Sequence, residues 1–398
     1  MLTLDKIYHA AFSLKNIARK TEVIYANKVA EGKNIYLKTE NLQKTGSFKI
    51  RGAYYKISQL SDEERGKGIV ACSAGNHAQG VALAAKEFGV KAIICMPEGA
   101  PISKVEATKA LGAEVHLVGE TYDDAYNYAI TINKELGSTF IHPFDDIDVI
   151  AGQGTIGLEI LDQLPNVDNV VVPIGGGGLI SGVAYAIKQL KPSVKIYGVQ
   201  ASNAASMVDS ISKKEKLTIK SVSTFADGIA VKTPGELTYS IVNGYVDELV
   251  TVTDDEIATA ILTLIEKQKL ICEGAGAVSV AAVMFNKIPL DNKNTCCILS
   301  GGNIDVNILN KVIYRGLLKT GRTANLTINI IDRPGQLSRV TDIIAEKGGN
   351  IIGIFYDQSK EGTDVNSFML KIKMETRDID HIEEIVVALN KAGISLME

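Results

Sequence analysis

Residues 169–182 of the chain are NVVVPIGGGGLISG, and this stretch decides the class of fold. Its first part is a short apolar run, typical of a buried strand, and four glycines lead from that run into a helical pattern. A strand that passes through a glycine-rich turn into a helix predicts a parallel α/β protein. The segment from Val170 to Ile187 is uncharged, but Pro173 and the glycines would break a membrane-spanning helix, so no membrane is expected as a partner.

The same alternation of short apolar runs and helical patterns covers most of the chain. Residues 78–89, AQGVALAAKEFG, have apolar positions three and four apart and end in glycine, as expected for a helix packed on a sheet. We therefore predict a sheet covered on both faces, with ligands bound beyond the carboxyl ends of its strands. The predicted strands are residues 34–40, 68–74, 91–97, 114–119, 138–143, 169–174, 195–200 and 295–300.

After about residue 320 the order changes to β-α-β-β-α-β, which is the ferredoxin-like arrangement. The predicted strands there are 325–331, 350–358, 366–375 and 394–397, and the predicted helices are 335–348 and 378–393. The polar segment 318–323, LKTGRT, reads as a linker. Two domains are expected, residues 1–320 and 323–398.

Composition excludes several classes of protein. With 46% hydrophobic and 22% charged residues, the 398-residue chain resembles an ordinary soluble enzyme. Its net charge of -4, without a Lys/Arg-rich run, makes nucleic acid a poor partner. Five cysteines without a CxxC pair favour a reducing cytoplasm, and the N-terminal residues interleave charges as an amphipathic helix does, unlike a signal peptide.

The first loop of chemical interest follows the strand at 34–40. Residues 44–52 are KTGSFKIRG, and they place Lys49 between apolar neighbours. Partial burial would lower the pKa of this lysine and leave a free amine, the form that makes a Schiff base with an aldehyde cofactor. The ordinary alternative is an exposed, solvated lysine.

The second loop, residues 73–80, is SAGNHAQG and joins a strand to an apolar helix. Its N–H groups lie at a helix N-terminus, where a carboxylate or a phosphate can bind. The alternative is that Ser73 or Asn76 only caps the helix, and from this loop alone capping is favoured. We interpret His77 as structural, since no other metal ligand lies at a suitable spacing nearby.

The third loop contains the four glycines, residues 175–178, whose successive N–H groups can converge on a phosphate. A dinucleotide is not expected, because Ile180 and Ser181 break the G-x-G-x-x-G spacing. Two later segments are weaker signals. Residues 299–303, LSGGN, could be an ordinary turn, and Glu273 could be either a catalytic acid or a helix-favouring one. The residues alone thus indicate a phosphate-bearing cofactor and a lysine.

The motifs TGSFKIRGA, SAGNHAQG, GGGGLISG and LSGGN, in this order, closely resemble the fold-type II pyridoxal-phosphate enzymes over about residues 1–320. That family has a tryptophan synthase beta-like fold of two α/β subdomains, and within it the chain is similar to the threonine dehydratases, or threonine ammonia-lyases. The resemblance implies pyridoxal 5'-phosphate as cofactor. It further implies deamination of L-threonine to 2-oxobutanoate and ammonia, and of L-serine to pyruvate, by Cα proton removal and β-elimination of the hydroxyl.

The resemblance also implies roles for individual residues. Lys49 would be the catalytic residue and form the Schiff base, Asn76 would meet the cofactor's 3′-oxygen, and Ser300 would meet its ring nitrogen. The implied cofactor-binding residues are Phe48, Lys49, Asn76, Gly175, Gly176, Gly177, Gly178, Leu179 and Ser300. The implied substrate-binding residues are Ser73, Ala74, Gly75, Asn76 and His77. Family members often bind a cation, for which Asp227 or Glu273 could serve, but no metal is predicted.

Three alternatives to a threonine dehydratase remain. A serine racemase or serine dehydratase shares the motifs, but the racemase carries a second hydroxyl where this chain has Ala74. A β-replacement enzyme such as a cysteine synthase keeps the lysine and the phosphate loop, although such an enzyme would not normally carry the C-terminal unit. A non-catalytic sensor would not need the Schiff-base lysine.

The C-terminal unit resembles an ACT regulatory domain through residues 332–337, DRPGQL, and the later GGNI. In that family such turns bind a small amino acid, usually between paired domains, and the alternative is a purely structural dimerisation module. The resemblance implies an effector such as isoleucine or valine, an allosteric enzyme of isoleucine biosynthesis, and a homo-oligomer, either dimer or tetramer. The implied regulatory residues are Pro334, Gly335, Gln336, Leu337, Asn350 and Ile351.

Overall fold

The computed structural model describes residues 1–357 and 367–397. Gln358 and Asn366, which belong to predicted strands, and Glu398, which belongs to the predicted domain 323–398, lie outside the described residues. The chain divides into two compact units, Met1–Asp305 and Val306–Glu398. The second unit includes a helix at Val306–Lys319, so this unit begins before residues 320–323, where the domain boundary is expected. The expected boundary stays a prediction. The expected linker contributes its first two residues to that helix, and residues 320–322 separate the helix from the next strand.

The first unit alternates strands and helices as predicted. Its strands are β1 (Val23–Tyr25), β2 (Asn34–Lys38), β3 (Ile69–Cys72), β4 (Ala92–Met96), β5 (Glu114–Leu117), β6 (Thr139–Phe140), β7 (Asn169–Pro173), β8 (Lys195–Ala201), β9 (Glu248–Val252) and β10 (Asn294–Ile298). Its helices are α1 (Leu4–Ser13), α2 (Lys49–Ser58), α3 (Asp62–Gly66), α4 (Asn76–Phe88), α5 (Ile102–Ala110), α6 (Tyr122–Leu136), α7 (Ile147–Gln163), α8 (Gly178–Leu190), α9 (Ser206–Lys213), α10 (Glu236–Tyr245), α11 (Asp254–Thr263) and α12 (Gly274–Met284).

Two sheets organise this unit. The larger has the strand order β1-β2-β10-β7-β8-β9 and is parallel apart from the pairing of β1 with β2. The smaller has the order β5-β4-β3-β6 and is parallel throughout. Because β3, β4 and β7 are buried along their whole length, both faces of each sheet are covered. The predicted α/β fold is confirmed.

Two strands escaped prediction, and both lie at the edges of the larger sheet. β1 has only three residues, and β9 is partly exposed over most of its length. Edge strands bury less apolar surface, so their sequences carry a weaker strand signal. Other local predictions match the structure: the N-terminal helix forms as α1, and residues 170–187 form β7, the glycine loop and most of α8. No described helix combines the length and apolar composition that crossing a bilayer requires.

The strand order brings distant loops together. β10 comes last in the unit but lies between β2 and β7, so the loops that follow these strands emerge side by side. The Phe48 N–H donates to the Ser300 carbonyl at 3.1 Å, and Ser47 pairs with Gly301 as an isolated bridge. The lysine loop and the LSGGN segment are therefore neighbours in the fold.

Helix α7 fixes the two helices that follow the lysine loop and the glycine loop. A Cβ atom on Gly152 would lie 2.6 Å from the Arg51 carbonyl oxygen of α2. A Cβ atom on Gly182 of α8 would lie 2.3 Å from the Ile150 carbonyl oxygen. Only glycine allows helices to approach this closely, so α2 and α8 are held against α7 with little freedom to shift.

The second unit contains α13 (Val306–Lys319), β11 (Thr323–Ile331), α14 (Gln336–Glu346), β12 (Asn350–Asp357), β13 (Ser367–Glu375) and α15 (Ile379–Lys391). Its sheet is antiparallel with the order β11-β13-β12. The predicted strand at 394–397 is wrong, because that segment makes only one bridge to the described residues, between Leu396 and Ile328. Gly393 turns the chain with a φ of +77°, and Ile394 is buried in the core, so the segment packs against the core without forming a ladder.

Candidate active site

A cavity of about 640 Å³ lies where the strands of both sheets end. It brings together every residue for which a cofactor or substrate contact is predicted. Those residues are Phe48, Lys49, Ser73, Ala74, Gly75, Asn76, His77, Gly175, Gly176, Gly177, Gly178, Leu179 and Ser300. Three helices, α2, α4 and α8, begin at this cavity, so their N-terminal N–H groups make it a favourable place for anions.

Lys49 is the first residue of α2, and its side chain is half-buried at the cavity. Its Nζ donates to the Pro143 carbonyl at 2.9 Å and lies 5.3 Å from the centre of the Phe48 ring. Burial lowers the pKa of the amine to about 8, although the Glu273 carboxylate opposes this shift. A substantial neutral fraction near physiological pH is what a nucleophilic or basic amine requires.

The four-glycine loop has no room for side chains. A Cβ atom on Gly176 would lie 2.4 Å from two carbons of the Phe144 ring, and one on Gly178 would lie 2.9 Å from the Phe144 Cα. Gly177 has a φ of +99° and forms the N-cap of α8. The bare backbone of this loop is the cradle that a phosphate needs, and Lys49 lies in the same cavity, so the residues fit pyridoxal phosphate.

The Ser73–His77 loop begins α4 without a side-chain cap. The N-cap residue is Gly75, so the interpretation of Ser73 or Asn76 as the cap is wrong. Ser73 instead accepts the Gly75 N–H on its Oγ at 3.1 Å, which closes a tight turn. The first N–H groups of α4 are therefore not occupied by a capping side chain and can receive a carboxylate.

His77 lines the cavity, but its ring is held by the protein. The Nε2 atom hydrogen-bonds to the Ile141 carbonyl at 2.9 Å. Burial lowers the pKa of His77 to about 3, so the ring is neutral at physiological pH. This agrees with the structural role that we predict for it.

Ser300 and Glu273 line the side of the cavity near Asn76. Ser300 follows β10 and is almost fully buried. Glu273 precedes α12, is 4% exposed, and accepts a hydrogen bond from Asn76 Nδ2 at 2.6 Å. Burial and the nearby Asp227 carboxylate raise the pKa of Glu273 to about 7. Asp227 pairs with Lys104 at 2.7 Å, and among the described residues no group of three His, Cys, Asp or Glu could hold a metal ion.

Sequence reasoning missed the loop after β6, which supports the glycine cradle. The Asp145 carboxylate accepts the first N–H groups of α10, among them that of Thr238 at 3.2 Å. Thr238 Oγ1 in turn donates to the Gly176 carbonyl at 2.6 Å. His142, in the same loop, has a pKa lowered by burial. The signal was available, since His142 and Pro143 end the predicted strand 138–143 and residues 144–146, FDD, directly follow it.

Residues 14–301 match the family described as pyridoxal-phosphate dependent enzyme, and residues 319–392 match the ACT domain. The chain belongs to the pyridoxal-phosphate dependent enzymes. It is 51% identical over 395 residues to an L-threonine ammonia-lyase of Thermotoga maritima, an alignment that covers 99% of this chain and 98% of that protein.

Solved structures of the same family superpose on the chain. The processed form of threonine deaminase isoform 2 from Solanum lycopersicum is 41% identical with a TM-score of 0.75, and the match covers 79% of this chain and 89% of that one. Maize serine racemase is 36% identical, also with a TM-score of 0.75, covering 80% of this chain and 98% of that one. The predicted fold-type II fold with a C-terminal ACT domain is confirmed. A serine racemase, one of the alternatives considered from the sequence, is thus similar to this chain in structure.

The predicted regulatory residues do not meet within one chain. Pro334, Gly335, Gln336 and Leu337 follow β11, whereas Asn350 and Ile351 begin β12. β11 and β12 both run antiparallel to β13, and Ile331 pairs with Ser367 while Asn350 pairs with Glu375. The two groups thus lie at opposite ends of the sheet, roughly 25 Å apart at the usual rise of a strand.

Proposed function

We propose that the chain is a threonine ammonia-lyase, which converts L-threonine to 2-oxobutanoate and ammonia and L-serine to pyruvate and ammonia. The observation that carries the proposal is that a lysine amine of lowered pKa and a side-chain-free glycine cradle line one cavity. The Thermotoga maritima and Solanum lycopersicum proteins support the choice of threonine.

Pyridoxal phosphate, when bound, supplies an aldehyde for amines and a ring that draws electrons from the substrate Cα. The Gly175–Gly178 loop would hold its phosphate, and Asn76 and Ser300 would contact its 3′-oxygen and ring nitrogen. Ser300 offers a neutral hydroxyl instead of a carboxylate, so the ring nitrogen is not forced to stay protonated. Such a contact would make the ring a weaker electron sink and would favour loss of the β-hydroxyl over transamination.

Lys49 performs the proton transfer in this proposal. Its Nζ takes the Cα proton, the Cα–H electrons form the Cα–Cβ double bond, and the β-hydroxyl leaves as water with a proton from an acidic group. The released enamine tautomerises and reacts with water, which yields the 2-oxo acid and ammonia. The uncapped N-terminus of α4 would hold the substrate carboxylate during these steps.

Ala74 separates this proposal from a serine racemase. A racemase needs a second acid to return the proton to the opposite face of Cα. Position 74 lines the cavity but offers only a methyl group. Proton return is therefore restricted to the Lys49 side, which favours elimination.

We also propose that a small amino acid, isoleucine or valine, regulates the enzyme through the ACT unit in isoleucine biosynthesis. The opposite placement of the Pro334 turn and the start of β12 supports a site shared between two copies, hence a dimer or a tetramer. A cytoplasmic location remains a prediction; the five cysteines, all within the described residues, are free and buried.

The deciding experiment measures 2-oxo acid release by the purified full chain with pyridoxal phosphate, given L-threonine or L-serine, with and without isoleucine. We expect 2-oxobutanoate from threonine and its suppression by isoleucine. A visible band of lysine-bound cofactor without 2-oxo acid would favour β-replacement, or racemisation if D-serine accumulates. Absence of that band would favour a non-catalytic sensor.

A further inference from the structure

A buried carboxyl in the cavity, Glu273, takes no part in the proposed reaction. Its Oε1 accepts the Asn76 Nδ2 hydrogen at 2.6 Å, and the residue is 4% exposed. Gly301 makes room for this contact, because a Cβ atom there would lie 2.3 Å from Glu273 Oε1 and 3.0 Å from Asn76 Nδ2. The sequence therefore provides space for a Glu273–Asn76 hydrogen bond at the cost of a side chain at position 301.

Asn303 completes a chain of hydrogen bonds on the other side of Asn76. Its Nδ2 donates to the Thr45 carbonyl at 2.8 Å and to Asn76 Oδ1 at 2.8 Å. Gly46 leaves space for this side chain, since a Cβ atom there would lie 2.3 Å from Asn303 Oδ1. Four separate segments are thus joined: the loops before α2 and α12, the first residue of α4 and the segment after β10.

These hydrogen bonds allow only one assignment of donors and acceptors. A backbone carbonyl can only accept, so the Thr45 oxygen requires the amide nitrogen of Asn303 on its side. The second hydrogen of that nitrogen is donated to Asn76. Asn76 must therefore accept with its oxygen from Asn303 and donate with its nitrogen to Glu273. One hydrogen of Asn76 Nδ2 goes to Glu273, and the other has no acceptor among the described residues.

We propose that Asn303 and Glu273 are positioning residues, which lock the Asn76 amide with its free N–H toward the cofactor. The inference rests on the proposed function in one respect, that pyridoxal phosphate binds in this cavity with its 3′-oxygen at Asn76. A carboxyl group accepts through its carbonyl oxygen whether or not it is protonated, so the lock holds in both states of Glu273. The charged groups that face Glu273 are Asp227, Lys104 and Lys49.

The test is a cofactor titration of the full-length apo-protein, followed through the visible band of lysine-bound pyridoxal phosphate. Asn303→Asp replaces the donor by an acceptor, which repels both the Thr45 carbonyl and the Asn76 oxygen. The Asn76 amide can then rotate so that its nitrogen and oxygen exchange places. We expect the dissociation constant for pyridoxal phosphate to rise about tenfold to a hundredfold, the loss typical of a hydrogen bond of this kind, and the band to shift in wavelength.

The matched control is Asn169→Ala. Asn169 is also a buried asparagine that donates two hydrogen bonds, but it lies at the opposite end of β7. Its loss should lower the melting temperature while the cofactor dissociation constant and the band stay as in the wild type. A purely structural role for Asn303 predicts the same behaviour for Asn303→Asp, and that result would overturn the proposal.

If Asn303→Asp does not fold, two variants of Glu273 test the same inference. Glu273→Gln still offers an oxygen to Asn76, whereas Glu273→Ala does not, so the glutamine variant should retain more cofactor affinity. Equal affinities for these two variants would contradict the inference. The proposed function fails separately: wild-type protein that binds the cofactor but releases no 2-oxobutanoate refutes that function and leaves the positioning of Asn76 intact.

Discussion

Gly176→Ala tests the glycine cradle directly. The added Cβ atom would lie 2.4 Å from Phe144 ring carbons, about 1 Å inside the 3.4 Å at which ordinary contact begins. The ring has little freedom to move aside, because it packs edge-on against His142 at 4.7 Å and its backbone lies against Gly178. Overpacking of this kind lowers the free energy of unfolding by about 1–3 kcal/mol.

The same change should weaken cofactor binding. Phe144 follows Pro143, whose carbonyl holds the Lys49 amine at 2.9 Å, so a displaced ring disturbs both the phosphate cradle and the lysine. We expect a dissociation constant for pyridoxal phosphate at least roughly tenfold higher, which corresponds to about 1.4 kcal/mol. Urea unfolding of the apo-protein gives the stability, and titration of the visible band gives the affinity.

Gly244→Ala is the matched control for this prediction. Gly244 lies in α10, its φ is not positive, and a Cβ atom there meets nothing within 4 Å. Alanine should therefore raise the free energy of unfolding by about 0.5–1 kcal/mol and leave cofactor binding unchanged. If Gly176→Ala behaves like this control in both assays, the cradle argument is refuted.

Three further predictions concern helix α2 and its surroundings. Lys49→Ala should abolish both the visible band and 2-oxo acid release, and a variant that keeps either contradicts the role assigned to Lys49. Burial lowers the pKa of Lys49 to about 8, so the fraction of neutral amine should rise with pH and level off above pH 8. The initial rate at which the apo-protein captures the cofactor should follow that fraction. A rate that keeps rising toward pH 10.5, the ordinary pKa of a lysine, would indicate an unshifted lysine. Arg51→Met should lower the free energy of unfolding, measured by urea denaturation, by about 3–5 kcal/mol. Arg51 is 1% exposed, and the change removes the guanidinium that pairs with the carboxylates of Glu40 and Glu159. A loss below about 1 kcal/mol would show that those carboxylates find other partners.

Local signals in the sequence sufficed for most of the fold. The interior strands β3, β4 and β7 are continuous apolar runs, and they form where predicted because both of their faces are buried. The edge strands β1 and β9 lack that signal and were missed. The last predicted strand is reduced to one bridge at Leu396, because an apolar run indicates a strand but does not show whether its backbone finds a strand to pair with.

The site divides in the same way, between what one loop determines and what several loops determine together. Lys49, the Ser73 turn and the four glycines each follow a strand, and parallel strands end at a common edge, so their meeting in one cavity could be predicted. The capping role of Ser73 or Asn76 could not be judged from one loop, since the structure leaves α4 uncapped.

The hydrogen bonds that orient Asn76 show why the rest was beyond sequence reasoning. Asn76 lies 197 positions from Glu273 and 227 from Asn303, and neither spacing nor periodicity relates residues so far apart. Their meeting depends on β10, the last strand of its unit, entering between β2 and β7. That insertion brings the LSGGN segment to the lysine loop, where Gly46 and Gly301 leave space for side chains from other loops. These two glycines look like ordinary turn residues in the sequence, and their purpose becomes visible only when the partner that fills each space is known.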